Sequence, residues 1–162
     1  MEDYKFTAED REFMQKAIEL SIENVANGGG PFGAVIVRNG EIIATGTNRV
    51  TANNDPTAHA EVSAIRAACA KVKNFKLEGS TCYTSCEPCP MCLSALYWAG
   101  VERIIYGNTK DDAKAINFDD SFIYDEIAKP YALRTIHCHN FMRDEALAGF
   151  RAWSEKEDKI EY

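Results

Sequence analysis

The sequence lacks any long apolar run: no stretch approaches the roughly 18 consecutive apolar residues of a membrane-spanning helix. Its first residues carry neither the basic start nor the apolar core of a secretion signal. It also has no internal repeat, no low-complexity tract and no obvious linker. We therefore expect one domain over residues 1–162, located in the cytoplasm.

Basic residues are also scarce. The 18 Lys and Arg residues stand against 25 Asp and Glu, a formal net charge of -7, and most of that excess lies in residues 111–162. A protein that binds duplex nucleic acid or tRNA neutralises phosphates with a basic face. The acidic net charge therefore argues against a nucleic-acid partner, and the absence of a long apolar run argues against a membrane partner.

Cysteine, in contrast, is abundant, with six residues in the chain. Three of them lie within residues 86–92, and in a reducing compartment such a cluster predicts metal binding or catalysis rather than disulfides. The other three are interpreted as small buried hydrophobic residues: Cys69, Cys82 and Cys138. His137 and His139 are interpreted as surface or core histidines rather than as a ligand pair.

Hydrophobic periodicity and turn signals predict alternating helices and strands. Thr7 is a candidate N-cap of a helix that ends at the glycines 28–30, and residues 33–37 and 41–45 form a hairpin around an Asn-Gly turn. Further helices are predicted at 58–71, 90–98 and 144–153, and further strands at 80–85, 101–106 and 133–137. Gly100 is placed to end the helix 90–98. Because crossover helices require parallel pairing, the fold class is expected to be α/β, a three-layer α-β-α sandwich around a mixed five-stranded sheet.

Two short segments carry the residues of a metal site: His-Ala-Glu at 59–61 and Pro-Cys-Pro-Met-Cys at 88–92. Cys89 and Cys92 lie three positions apart across a helix start, where the helix N-terminus favours thiolates. With His59 they make three protein ligands, and the fourth position of a tetrahedral zinc stays open for water, whose pKa falls to about 7. Glu61 is close enough to exchange protons with that water. The combination of H-x-E with P-C-x-x-C is the signature of zinc nucleobase deaminases.

A second C-x-x-C pair, Cys86 with Cys89, overlaps the first. We assign the ligands to Cys89 and Cys92 because Pro90 suits the first position of a helix, which leaves Cys86 at the end of the preceding strand. A closed site with three cysteines and one histidine remains an alternative. An iron–sulfur cluster is a weaker one, because its fourth spaced cysteine is missing.

Over nearly its whole length the chain resembles the cytidine-deaminase-like zinc deaminases and, among them, the small guanine deaminases. The matching segments are G-P-F-G-A-V at 30–35, N-N-D-P-T-A-H-A-E at 53–61, Y-T-S-C-E-P-C-P-M-C at 83–92, F-D-D-S-F-I-Y at 118–124 and the E-Y tail at 161–162. The central motifs identify the superfamily. The later run and the tail narrow the resemblance to guanine deaminases.

The resemblance implies hydrolysis of guanine to xanthine and ammonia with one zinc ion per subunit. A zinc-activated water would attack C2, and Glu61 would carry its proton to the ring nitrogen and then to the leaving amino group. The purine would lie against Phe32, with Asn48 and the backbone N–H of Ala60 bonding its polar edge. Taken alone, Phe32 would be interpreted as a core residue and Asn48 as a turn residue.

Asp120 is the specificity residue that the resemblance adds. Its carboxylate can accept hydrogen bonds from the N–H groups of guanine, including the reacting amine, and could shuttle a second proton. Without the resemblance, the run Asp119-Asp120-Ser121 indicates a turn or a helix cap. Trp98 and Tyr162 are aromatic candidates for walls of the pocket, although Trp98 is explained equally well by helix packing.

The resemblance also implies a domain-swapped homodimer in which residues from about 144 to 162 cap the partner's site. Deaminases of guanosine, other nucleosides or tRNA within the same superfamily are the alternative enzymes, and the acidic C-terminal part argues against RNA. Outside enzymes, the alternative is a zinc-stabilised binding module. Glu61 argues against such a module, because a structural zinc site has no use for an acid beside an open coordination position.

Overall fold

The computed structural model describes residues 5–161, which form seven α-helices, four β-strands and one short 3-10 helix. In chain order these elements are α1 (Ala8–Ala26), β1 (Gly33–Arg38), β2 (Glu41–Thr47), α2 (Val50–Asn53), α3 (Ala60–Val72), β3 (Ser80–Cys86), α4 (Pro90–Ala99), β4 (Arg103–Asn108), α5 (Lys110–Ala115), α6 (Ser121–Ala128), the 3-10 helix Tyr131–Leu133 and α7 (Arg143–Glu155). Within the described range, no helix has both the length and the apolar content needed to cross a bilayer. The chain divides into two compact units between Ser121 and Phe122.

The helix ends follow the signals in the sequence. Thr7 caps α1: its side chain accepts a hydrogen bond from the Asp10 backbone N–H at 3.0 Å, and the Asp10 carboxylate accepts one from the Thr7 N–H at 2.8 Å. Pro90 is the first residue of α4, and Gly100 ends that helix with a left-handed φ of 70°. The predictions for these residues are confirmed.

The first unit contains a mixed sheet with the strand order β2-β1-β3-β4. β1 pairs antiparallel with both β2 and β3, whereas β3 and β4, which are joined through α4, are parallel. The mixed pairing therefore confirms the prediction. The sheet has four strands rather than five.

The predicted fifth strand at 133–137 is wrong. Pro130, which has no N–H for a ladder, precedes the 3-10 helix in this region, and the backbone beyond it is satisfied locally. The Thr135 N–H donates to a carboxylate oxygen of Glu126 at 2.7 Å, and the Arg134 backbone N–H donates to the carbonyl of Tyr131 at 3.3 Å. These local bonds replace the interstrand bonds that the alternating pattern predicted.

Two apolar clusters lie on opposite faces of the sheet, which confirms the three-layer sandwich. Ala34 and Ile36 of β1 point to the face covered by α3 and α4, where they join the cluster that contains Leu96. Val35 and Val37 point to the other face and pack with Ala17 of α1 and with Tyr83. The alternation of β1 between two buried faces follows from the two-residue period of a strand.

The first turn of α3 packs very closely on β2. A Cβ atom added to Gly46 would lie 2.2 Å from the carbonyl oxygen of Ala60 and 2.4 Å from the nitrogen of Ala64. Glycine is therefore required for this approach, since any side chain would push the helix away from the strand. The approach fixes the helical turn that carries Glu61 against the sheet.

The second unit has no buried residue among those described, 122–161. Its exposed large apolar side chains are Phe122, Ile127, Tyr131, Leu133, Ile136, Phe141, Met142, Phe150, Trp153 and Ile160. Cys138 is exposed as well, so the expectation that it is a small buried residue is wrong, and the missing strand explains why. Cys82 is fully buried, as expected, whereas Cys69 is only half-buried against the core.

Candidate metal and active site

His59, Cys89 and Cys92 bring their ligand atoms within 4.8 Å of one another. His59 occupies the N-cap position of α3, and Cys89 that of α4, where its sulfur accepts a hydrogen bond from the Cys92 N–H. The His59 Nδ1 atom lies 3.6 Å from Cys89 Sγ and 3.5 Å from Cys92 Sγ. Zinc bond lengths in a tetrahedral site place a nitrogen and a sulfur ligand about 3.6 Å apart, so the spacing and the donor atoms both fit this metal.

Cys86 is not part of this group. Among the described residues, the set of mutually close ligand atoms contains only the two other clustered cysteines and His59. The Cys86 thiol instead faces the carbonyl oxygen of Thr109 at 3.7 Å, and burial raises its pKa to about 11, so it stays protonated. This placement supports Cys89 and Cys92 as the ligands, rather than a closed site with three cysteines. His137 and His139 are exposed in the second unit.

The three ligand side chains shift one another's pKa values. Hydrogen bonds from Cys92 and His59 lower the pKa of the Cys89 thiol, although burial opposes this change. The hydrogen bond between Cys92 and Cys89 is the main cause of the raised pKa of Cys92, and burial is the second. The hydrogen bond to Cys89 is also the main cause of the raised pKa of His59. A divalent cation that displaces the shared protons would therefore meet thiolates and a neutral imidazole, which are the forms that bind zinc.

Glu61 is buried beside the ligand group, with only 6% of its surface exposed. Burial is the main cause of its raised pKa, and hydrogen bonds from Cys92 and Thr84 partly offset it. The Thr84 Oγ1 donates to Glu61 Oε1 at 3.0 Å. A carboxylate with a raised pKa and one fixed oxygen is suited to accept and release a proton.

The predicted role of Glu61 did not include Thr84, which the structure adds. Thr84 lies in β3, pairs in register with Ala34 of β1 and is 1% exposed. Its sequence signal is weak, because a threonine in a buried strand is normally interpreted as a strand-forming residue. Only the packing of α3 on the sheet brings Thr84 to a carboxylate that lies 23 positions away.

Asp120 lies in the loop between α5 and α6 and is half-buried. Burial and the nearby charge of Cys89 raise its pKa, and its own charge contributes to the raised pKa of His59. The local turn contact is made instead by Asp119, which accepts a hydrogen bond from the Ser121 N–H at 2.9 Å and pairs with Lys114 at 3.2 Å. Asp120 is thus electrostatically linked to the ligand group.

The predicted binding residues Phe32 and Asn48 are adjacent through their backbones. The Asn48 N–H donates to the carbonyl of Phe32 at 3.2 Å, and the ring of Phe32 packs edge-on against Phe118, with 5.0 Å between ring centroids. A cavity of about 240 Å³ opens beside Phe32 and Cys86. Ala60 is the first residue of α3, so its backbone N–H is one of the N-terminal amides without an acceptor inside the helix.

The structure does not bring Trp98 into this group. Its side chain is 66% exposed on α4, beside Tyr97 and Ser94, and its carbonyl oxygen accepts a hydrogen bond from Lys76 Nζ at 3.0 Å. Its proposed contact with substrate stays a prediction. Tyr162 lies outside the described residues.

Comparisons with known proteins agree with this geometry. Residues 7–108 match the model of the cytidine and deoxycytidylate deaminase zinc-binding region. The chain is 52% identical to guanine deaminase of Bacillus subtilis (strain 168), over 93% of this chain and 97% of that protein. The X-ray structure of guanine deaminase from Bacillus subtilis superposes with a TM-score of 0.91 at 51% identity, covering 94% of this chain and 98% of that one.

A more distant relative is the tRNA-specific adenosine deaminase of Bacillus subtilis (strain 168). It is 39% identical, but over only 61% of this chain and 62% of its own length. The zinc-binding region therefore extends to proteins with other substrates, whereas the guanine deaminase match covers nearly the full chain. The chain belongs to the cytidine and deoxycytidylate deaminase family and carries its zinc-binding region.

Proposed function

We propose that this protein is a zinc-dependent guanine deaminase, which hydrolyses guanine to xanthine and ammonia. The observation that carries the chemistry is the buried Glu61 carboxylate, held by Thr84 beside the ligand group of His59, Cys89 and Cys92. The choice of guanine rests on the near full-length similarity to a guanine deaminase.

In this reaction a water oxygen adds to C2 of guanine, and the amino group leaves as ammonia. Bound zinc supplies Lewis acidity and lowers the pKa of the attacking water. Glu61 takes one proton from that water and delivers it to the ring nitrogen. It then takes the second proton of the same oxygen and delivers it to the amino group, which leaves as ammonia as C2 becomes a carbonyl. Its raised pKa supports this role, because burial makes the proton easier to retain between the two transfers.

The purine is held by four groups of the first unit. The ring of Phe32 provides an aromatic face, the amide of Asn48 hydrogen bonds the polar edge, and the Ala60 N–H donates to a base acceptor. The Asp120 carboxylate accepts hydrogen bonds from the N–H groups of guanine, including the amino group that leaves. Its electrostatic link to His59 and Cys89 supports this assignment, as does the use of Asp119 for the local turn.

We also infer a homodimer in which residues from about 144 to 162 are exchanged between subunits. The second unit supports it, because the described part of that unit buries no residue and exposes Phe150 and Trp153.

A cytoplasmic location is supported by the six cysteines, none of which forms a disulfide in the described chain.

The test is ammonia release from guanine, guanosine, adenine, adenosine, cytosine, cytidine and a tRNA. We expect guanine to be the preferred substrate. In Asp120→Ala, turnover of guanine should fall by about 10² with full zinc content, because a charge-assisted hydrogen bond to the substrate is lost. Asp119→Ala is the matched control and should retain activity.

Preference for guanosine or tRNA over guanine would contradict the proposed substrate. Equal activity of the Asp119→Ala and Asp120→Ala variants would reassign Asp120 to the turn. Absence of ammonia from every substrate, with zinc bound, would favour a binding module.

A further inference from the structure

Asn24 is a buried polar residue that the mechanism above does not use. It lies near the C-terminal end of α1 and is 4% exposed. Its side-chain Nδ2 donates two hydrogen bonds, to the carbonyl oxygen of Gly30 at 2.8 Å and to that of Asn48 at 2.9 Å. One amide group thus joins two chain segments that are distant in sequence.

These two segments carry the purine-binding residues of the proposed site. Gly30 precedes Phe32 by two positions, and the Phe32 N–H donates to the Gly30 carbonyl at 2.8 Å. The Asn48 N–H in turn donates to the Phe32 carbonyl at 3.2 Å. Asn24, Gly30, Phe32 and Asn48 therefore form a closed ring of hydrogen bonds that fixes the backbones of Phe32 and Asn48, which carry the aromatic face and the amide, relative to each other.

The neighbouring chain leaves room for the Asn24 amide. A Cβ atom on Gly29 would lie 2.3 Å from Asn24 Nδ2, and the Gly29 N–H donates to the Asn24 carbonyl at 2.8 Å. The φ of Gly29 does not lie in the left-handed region, so a side chain there is excluded by the amide rather than by the backbone conformation. Glycine at 29 and asparagine at 24 thus depend on each other.

We propose that Asn24 is a positioning residue that holds Phe32 and Asn48 in the arrangement that binds the purine. This inference rests on the proposed function of the site. The side chain acts through the two carbonyls, so its loss weakens substrate binding more than the chemical step. Asp at this position has the same shape but carries no N–H donor, and it would leave two buried carbonyls facing a carboxylate.

The experiment measures kcat and KM for guanine in Asn24→Asp and Gly29→Ala, together with xanthine binding by calorimetry, zinc content and thermal unfolding. We expect KM and the Kd of xanthine to rise about 10-fold in both variants, as for the loss of about one hydrogen bond in binding, with kcat changed less than about threefold. Ser21→Ala is the matched control. Ser21 is also buried in α1, but its hydroxyl donates to the carbonyl of Ile18 at 2.7 Å, within the helix.

Unchanged KM and xanthine affinity in either folded variant would overturn the inference, even if its unfolding temperature fell, because a purely structural residue acts on stability alone. Gly29→Ala keeps the test decisive if Asn24→Asp does not fold. A wild-type protein that neither deaminates guanine nor binds xanthine would overturn the proposed function and this inference together. An active wild type with insensitive variants would overturn only the inference.

Discussion

At the scale of single residues, the grouping of His59, Cys89 and Cys92 was predictable because the motifs that carry these residues are local. His59 and Glu61 lie two positions apart, and Cys89 and Cys92 lie three apart, so each pair is fixed by one helix start. Thr84 and Asn24 could not be found in this way. Each is a single polar residue within a helix or strand, with no local motif around it. Thr84 meets Glu61 only when α3 packs on the sheet, and Asn24 meets the Asn48 carbonyl only when α1 does.

Thr84 gives a prediction about the proton carrier. Thr84→Val keeps the volume of the side chain but removes the donor to Glu61 Oε1, so we expect kcat for guanine to fall about 10-fold while KM and zinc content stay near wild type. Thr84→Ser retains the hydroxyl and should restore most of the activity. Wild-type kcat in a folded, zinc-loaded Thr84→Val protein would show that the hydrogen bond has no part in catalysis.

At the scale of elements, the chain contains the same capping motif twice. Thr7 with Asp10 caps α1, and Thr109 with Asp112 caps α5. In the first motif the Asp10 side chain is buried and linked to the sheet, because it also accepts a hydrogen bond from the Tyr83 hydroxyl at 2.7 Å and pairs with Arg103 at 3.2 Å. Burial alone would raise the pKa of Asp10, but the hydrogen bonds from Thr7 and Tyr83 and the charge of Arg103 lower it to about 2.

The two motifs should therefore contribute differently to stability. The folded pKa of Asp10 is below its unfolded value, so its contribution is complete above about pH 4 and is lost as the pH falls from about 4 to 2. Asp10→Asn should cost about 2 kcal/mol in the free energy of unfolding at pH 7, and Asp112→Asn less. Urea unfolding of both variants between pH 7 and pH 3 measures the difference, which should shrink at acid pH. Equal losses at pH 7 would contradict the assignment.

The elements also show where periodicity fails. The helix and strand assignments of the first unit hold because each apolar period is matched by a buried face of the sandwich. The predicted strand 133–137 has one short alternation after Pro130, and local bonds to Glu126 determine its conformation instead. The period of the apolar pattern alone cannot distinguish a strand that joins the sheet from a segment that does not.

At the scale of the whole molecule, the two units differ in how they bury apolar surface. The first unit contains both apolar clusters, whereas in the described part of the second unit every residue stays at least partly exposed. Two aromatic residues of α7, Phe150 and Trp153, are 75% and 41% exposed. The single chain leaves both side chains exposed, and the pattern of a single sequence does not define what packs on them.

We therefore expect a stable dimer in solution, and light scattering after size-exclusion chromatography measures its mass. Deletion of residues 144–162 should reduce the mass to that of a monomer and lower guanine turnover, because it removes the segment that each subunit is proposed to place over its partner's site. Phe150→Ser with Trp153→Ser gives a full-length version of the same test. A monomeric wild type with full activity would contradict the exchange.

The central claim is that Glu61 moves protons beside a metal held by His59, Cys89 and Cys92. Its most direct test is ammonia release from guanine by Glu61→Gln, with zinc content measured on the same sample. Glutamine keeps an oxygen that can accept the Thr84 hydrogen bond but cannot carry a proton between water and base. We predict full zinc content and turnover lowered by about 10²-fold or more, and turnover close to wild type would contradict the account.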